Sequence, residues 1–104
     1  ITQAVRQARQ QAGHMIKIEV EVDDLSQLEA VLDTPVDAVL LDNMPPETLS
    51  RAVAMINGRM LAEASGGITL ETVRPVAETG VDLVSIGALT HSVTALDIGL
   101  DIAV

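Results

Sequence analysis

Three acids, Glu21, Asp42 and Glu63, stand 21 residues apart, each at the end of a short run rich in apolar residues. The first run, residues 16–22, alternates strictly: Ile16, Ile18, Val20 and Val22 face one way, Lys17, Glu19 and Glu21 the other. Alternation with period two describes a strand with one buried and one polar face. The second run, "VDAVLLD" at 36–42, is almost continuously apolar, and the third is "RMLAEA" at 59–64. A fourth, "VDLVSI" at 81–86, leads into Gly87 at a similar interval. The spacing repeats although the residues do not, so what recurs is a structural unit.

Helical patterns fill the intervals. Residues 1–12 place Ile1, Val5, Ala8 and Ala12 on one side, and Gly13 suits a C-terminal cap. Asp23 or Asp24 caps a helix with an inner stripe of Leu25, Leu28, Val31 and Leu32. Pro45 and Pro46 suit the start of a third helix, which buries Leu49, Ala52, Val53 and Ile56. Thr69 is expected to cap a fourth, built on Leu70, Val73 and Ala77 and ended by Gly80, with Pro75 loosening or kinking it. Beyond "GALTHS" a last apolar segment, "VTALDIGLDIAV", completes the order α-β-α-β-α-β-α-β-α.

Short connections in that order imply parallel strands joined by crossover helices, an α/β fold of parallel βα repeats with four strands. A charged inner face and an apolar outer face suit a barrel wall; a doubly wound open sheet buries both faces of its strands. Four units cannot close an eight-stranded barrel, and bare parallel edges invite pairing. The expectation is therefore one partial α/β-barrel domain over residues 1–104, part of an open TIM-like barrel. Its edges would be met by another copy, in a homodimer or higher homo-oligomer, or by parts of a barrel outside this chain.

Composition narrows the ligands. Six Lys and Arg against fifteen Asp and Glu give a net charge of −9, which excludes a nucleic-acid surface. Any anion must be held by backbone N–H groups or by a divalent cation. No run of eighteen apolar residues is present, so no membrane span is expected. With no cysteine and no secretory signal, the cytoplasm is the default location. Phe, Tyr and Trp are all absent, which leaves the core to Leu, Val, Ile, Ala and Met.

Ligands of α/β folds sit beyond the carboxyl ends of the strands. On that rim Ser65-Gly66-Gly67 precedes a helix, and Gly87 marks a second turn on the next strand. Either glycine turn alone is equally a tight turn and a phosphate cradle of converging N–H groups. Two side by side match the recurrent phosphate site of β/α barrels. Glu21 and Asp42 can hold Mg2+ through water, accept from sugar hydroxyls, or stand solvated. Glu63 points the same way, or pairs with Arg59 inside the barrel. His91 is a plausible phosphate donor beside Gly87, and His14 is a loop residue. Met44, Met55 and Met60 read as core or rim fillers, and no nucleophile has a base beside it.

The segments "KIEVEVDDLSQLEAVL", "AVLLDNM", "EASGGITLETV" and "ETGVDLVSIGALTHSVTALDIGLDI" resemble quinolinate phosphoribosyltransferase, the carboxylating nicotinate-nucleotide pyrophosphorylase family, in order and spacing. The resemblance covers the C-terminal half of that family's barrel. It implies a cytoplasmic enzyme of NAD biosynthesis that transfers phosphoribose from phosphoribosyl pyrophosphate to quinolinate with Mg2+. The products are nicotinate mononucleotide, carbon dioxide and pyrophosphate. It implies contacts from Glu21 and Asp42 to the ribose hydroxyls and the Mg2+-pyrophosphate, with Ser65, Gly66, Gly67, Gly87 and His91 around the phosphate. The basic groups that grip quinolinate belong, in the family, to an N-terminal sandwich domain, early barrel strands and a partner subunit, all before residue 1. Quinolinate is therefore expected to bind only where those parts are supplied. A second reading rests on the aromatic-free composition and the start at Ile1: an excised or redesigned βα fragment, self-associating and without catalysis. A generic phosphate-binding β/α domain is a third.

Overall fold

A computed structural model describes residues 2–13 and 15–87. Four helices and four strands alternate: α1 (Thr2–Ala12), β1 (Glu19–Val22), α2 (Leu25–Val31), β2 (Ala38–Asp42), α3 (Pro46–Ile56), β3 (Leu61–Ser65), α4 (Val73–Ala77) and β4 (Leu83–Val84). This is the expected order, and the expected last helix lies outside the described residues. The strands form one sheet in the order β1-β2-β3-β4, every pair parallel. Chain order and spatial order coincide, so the strand order never reverses as it does in a doubly wound sheet. The described sheet is an open sector of an α/β barrel.

The alternation in β1 does what its period requires. Val20 and Val22, with Val39 and Leu41 of β2 and Ala62 and Ala64 of β3, form the buried face. They pack with Leu28 and Val31 of α2, Leu49, Ala52 and Ile56 of α3, Val76 of α4 and Val5 of α1 in one cluster. Small alanines at 52, 62 and 64 let helix and sheet approach without aromatic filler, and Met44 and Met60 are buried beside them. The other face carries Glu19, Glu21, Leu40, Asp42, Leu61, Glu63, Ser65 and Leu83, all half-buried or exposed. Leu61 and Leu83 stand there 50% and 43% exposed.

Helix ends follow local chemistry in three cases and overturn it in one. The Asp24 carboxylate caps α2, accepting from the Gln27 N–H at 2.8 Å, while Gln27 Oε1 accepts from the Asp23 N–H at 2.7 Å. Pro46 opens α3, where its missing N–H would have had no partner. Asn57 closes it in the left-handed conformation. Thr69, expected to cap the fourth helix, does not. It starts a turn in which the Thr72 N–H donates to the Thr69 carbonyl at 3.1 Å, and the helix begins only at Val73. Pro75 explains the shift. In a helix starting at Leu70 its ring would block an interior hydrogen bond; in one starting at Val73 it falls in the first turn, where no N–H is needed.

Strands β1 and β4 are shorter than the runs that announced them, and aspartate carboxylates mark the amino end of the sheet. Asp37 Oδ2 accepts from the Ile18 N–H at 2.7 Å, and Asp82 Oδ2 from the Ala62 N–H at 2.8 Å. At the amino end of the sheet each carboxylate thus reaches back to the preceding strand and takes the place of a ladder bond. Asp37 also pairs with Arg9 of α1, whose guanidinium donates to the Pro35, Gly13 and Ile16 carbonyls.

Candidate functional site

At the opposite, carboxyl end of the strands, Glu21, Asp42 and Ser65 lie on the polar face of β1, β2 and β3. Because Asp24 supplies the helix cap, Asp23 does not have to. Its carboxylate stands with those of Glu21 and Asp42, one oxygen from each within 4.8 Å of the others. Glu21 and Asp23 are exposed and Asp42 is half-buried. The expectation at Glu21 and Asp42 thus gains a third acid. The signal for it was present in sequence: Gln27 lies three residues after Asp24, the spacing of a capping pair, which releases Asp23.

Asp42 is held from β3. The Ser65 hydroxyl donates to Asp42 Oδ1 at 3.3 Å, and the Ser65 carbonyl accepts from the Asn43 N–H at 2.8 Å. Asn43 sits at φ 59°, in the left-handed region, directly after the strand. Facing it, Gly66 has φ +94°, and a Cβ there would lie 2.8 Å from the Asn43 nitrogen and 2.9 Å from Asp42 Oδ1. Gly67, at φ +68°, faces open space.

The two glycine turns are neighbours, as their spacing implied: the Gly87 N–H donates to the Ile68 carbonyl at 3.1 Å. That bond engages the Gly87 N–H within the protein. The positive end of α4, expected next to Gly67, lies six residues farther on at Val73 and belongs to a helix of five residues. Glu63 is not part of the acid cluster. It accepts from the Ser85 hydroxyl at 2.8 Å, whereas Arg59 turns to the Ile56 and Met55 carbonyls and to Asp33. His14 and His91 lie outside the described residues.

A set of three carboxylates offers only hard oxygen donors, which suit Mg2+ and not a soft metal. A divalent cation would relieve their mutual repulsion, and a hydroxyl-rich or phosphate-bearing ligand could share it. The donor chemistry on this rim fits the ion that the resemblance implies.

Comparison with known proteins places the chain. The model of the quinolinate phosphoribosyl transferase C-terminal domain matches residues 1–101. A probable nicotinate-nucleotide pyrophosphorylase (carboxylating) of Bacillus subtilis is 43% identical over 102 residues, covering 98% of this chain and 35% of that protein. The nicotinate-nucleotide pyrophosphorylase (carboxylating) of Mycobacterium leprae is 45% identical over 105 residues, covering 98% and 37%. Among solved structures, the nicotinate-nucleotide pyrophosphorylase of Francisella tularensis superposes with a TM-score of 0.78 at 35% identity, over 93% of this chain and 35% of that one. That of Ehrlichia chaffeensis gives 0.79 at 40% identity, over 88% and 33%. The chain spans about a third of the length of these relatives. With the family model matched along nearly its whole length, the chain belongs to the quinolinate phosphoribosyl transferase C-terminal domain family.

Proposed function

We propose that this chain supplies the phosphoribosyl-pyrophosphate-binding rim of a quinolinate phosphoribosyltransferase of NAD biosynthesis. One observation carries the reading: Glu21, Asp23 and Asp42 converge beside the Ser65-Gly66-Gly67 turn. In the reaction, phosphoribosyl pyrophosphate and quinolinate give nicotinate mononucleotide, pyrophosphate and carbon dioxide. Displacement at the anomeric carbon builds positive charge on the ribose, and Glu21 and Asp42 oppose that charge while accepting from its hydroxyls. Ser65, Gly66, Gly67, Gly87 and His91 surround the phosphate. Glu21 and Asp42 would hold Mg2+, directly or through water, and the ion would supply positive charge against the departing pyrophosphate. Quinolinate is gripped by basic groups from outside this chain, and the working assembly is a cytoplasmic homodimer or higher homo-oligomer.

Isothermal calorimetry with phosphoribosyl pyrophosphate tests the reading. Binding is expected with Mg2+ and not with EDTA, and Asp42→Ala should weaken it by about ten- to a hundredfold, the loss of a charged hydrogen-bonding partner. Metal-independent heat, or none, overturns it.

A second reading, a self-associating βα fragment without catalysis, draws on Leu61 and Leu83, both exposed on the polar face of the sheet. Sedimentation at graded concentration tests it. A dimer that binds no Mg2+-phosphoribosyl pyrophosphate favours the fragment.

A further inference from the structure

Gly66 raises a question that phosphate binding does not answer. A cradle of N–H groups explains why a turn is open and short, but a side chain at the cradle would be excluded by the ligand. At Gly66 the exclusion comes from the protein itself. An added Cβ would meet the Asn43 nitrogen at 2.8 Å, Asp42 Oδ1 at 2.9 Å and the Asn43 Cα at 3.0 Å. Two of these three atoms are backbone and cannot swing away. The adjacent Gly67 also has a positive φ, +68°, and no such neighbour. So the two glycines of one turn have different reasons to be glycine.

The atoms that Gly66 admits are those that fix Asp42. Asn43 follows it in a left-handed conformation, its N–H is donated across to the Ser65 carbonyl, and the Ser65 hydroxyl reaches Asp42 Oδ1. Ser65 and Gly66 therefore grip the end of β2 from three directions: a backbone bond, a hydroxyl and a flat surface without a Cβ. Asp42 is also the most enclosed of the three acids. Its place relative to Glu21 and Asp23 is set from β3 and not from its own strand alone.

We infer that Gly66, with Ser65, is a positioning residue for Asp42, setting the carboxylate against Glu21 and Asp23 for a divalent cation. The inference rests on the proposed cation-binding role of this rim. It couples the two halves of the site: the turn that meets the phosphate also sets the acid that meets the metal.

Mn2+ alone, without any phosphate, separates positioning from phosphate binding. In the full chain, free Mn2+ is followed by its EPR signal for the wild type, Gly66→Ala, Ser65→Ala and Gly58→Ala. Gly58 has φ +79° and open space around it, so its variant reproduces the backbone strain of an alanine at positive φ away from the site. Gly66→Ala is expected to weaken Mn2+ binding by about ten- to a hundredfold, the usual consequence of disturbing the groups that orient a metal ligand. Ser65→Ala, which introduces no backbone strain, should weaken it severalfold, and Gly58→Ala should match the wild type. Circular dichroism checks that each variant is folded. A ligand-free measurement runs beside it: the Asn43 amide should shift and exchange faster with solvent in Gly66→Ala, and stay unchanged in Gly58→Ala.

Equal Mn2+ affinity in Gly66→Ala and the wild type overturns the inference, as does an unchanged Asn43 amide. Mn2+ affinity that falls equally in Gly66→Ala and Gly58→Ala also overturns it, by assigning the loss to strain alone. A wild type that takes up no Mn2+ removes the cation-binding reading itself, and with it the role of Gly66 in metal binding.

Discussion

Asp37 and Asp82 carry little outward sign of importance, yet each holds a backbone N–H of the preceding strand. Burial works to raise the Asp37 carboxyl. The Ile18 N–H, the hydrogen bond and charge of Arg9 and the charge of Lys17 outweigh it and hold the group below its ordinary value of 3.8. The folded chain therefore binds this proton less tightly than the unfolded one. The stabilisation is complete above the ordinary value and is lost as pH falls through the lower folded value. Asp37→Asn should cost about 1–3 kcal/mol at neutral pH, in line with hydrogen bonds to charged groups. In thermal unfolding followed by circular dichroism, the two proteins should converge in acid, below that window. A difference that persists unchanged there counts against the ion pair. Neither aspartate was singled out in sequence, although the repeated Val-Asp at 36–37 and 81–82 announced them. A carboxylate before a strand reads as a solvated loop residue until the register shows which N–H lies opposite it.

Among the elements, α4 shows where local pattern and covalent geometry disagree. Leu70, Val73 and Ala77 have helical spacing, but Leu70 is 69% exposed and precedes the helix. The proline decides the matter because it is tolerated at only a few places in a helix. Pro75→Ala should leave stability within about 0.5 kcal/mol, since the position needs no N–H. Ala77→Pro, two residues on, should cost about 3 kcal/mol by removing an interior bond and clashing with the preceding turn. Urea titration of both variants measures the contrast. The α2 cap is the converse case, where sequence left two candidates and geometry chose Asp24. Asp24→Ala should cost about 1 kcal/mol. Helices and strand order were legible because period and caps act within a few residues. The short amino end of β1 was not, because the Ile18 N–H goes to the carboxylate of Asp37, 19 residues farther on.

Across the molecule, the buried face of the sheet carries the stability and the other face carries the candidate site. Leu41→Ala should cost about 2–5 kcal/mol, as deletions in a packed core do. Leu83→Ser, on the uncovered face, should change stability by less than about 1 kcal/mol. A large loss at Leu83 that appears only in concentrated chain would mean that this face is covered by another copy. Glu21, Asp42, Ser65 and Gly66 were legible as a rim because strand ends in a parallel sheet gather at one side. Asp23 was hidden by its neighbour's capping role, and the grip of Gly66 on Asp42 depends on a contact between two loops that no single-strand pattern contains. One consequence of the amino-end aspartates concerns synthesis. The carboxylates reach back only 19 and 20 residues, and each strand pairs with the one before it. A segment emerging from the ribosome can therefore close each unit onto the last without waiting for distant sequence. Each new unit thus covers the edge left by the one before it, and the edge still open is always that of the newest strand or of β1.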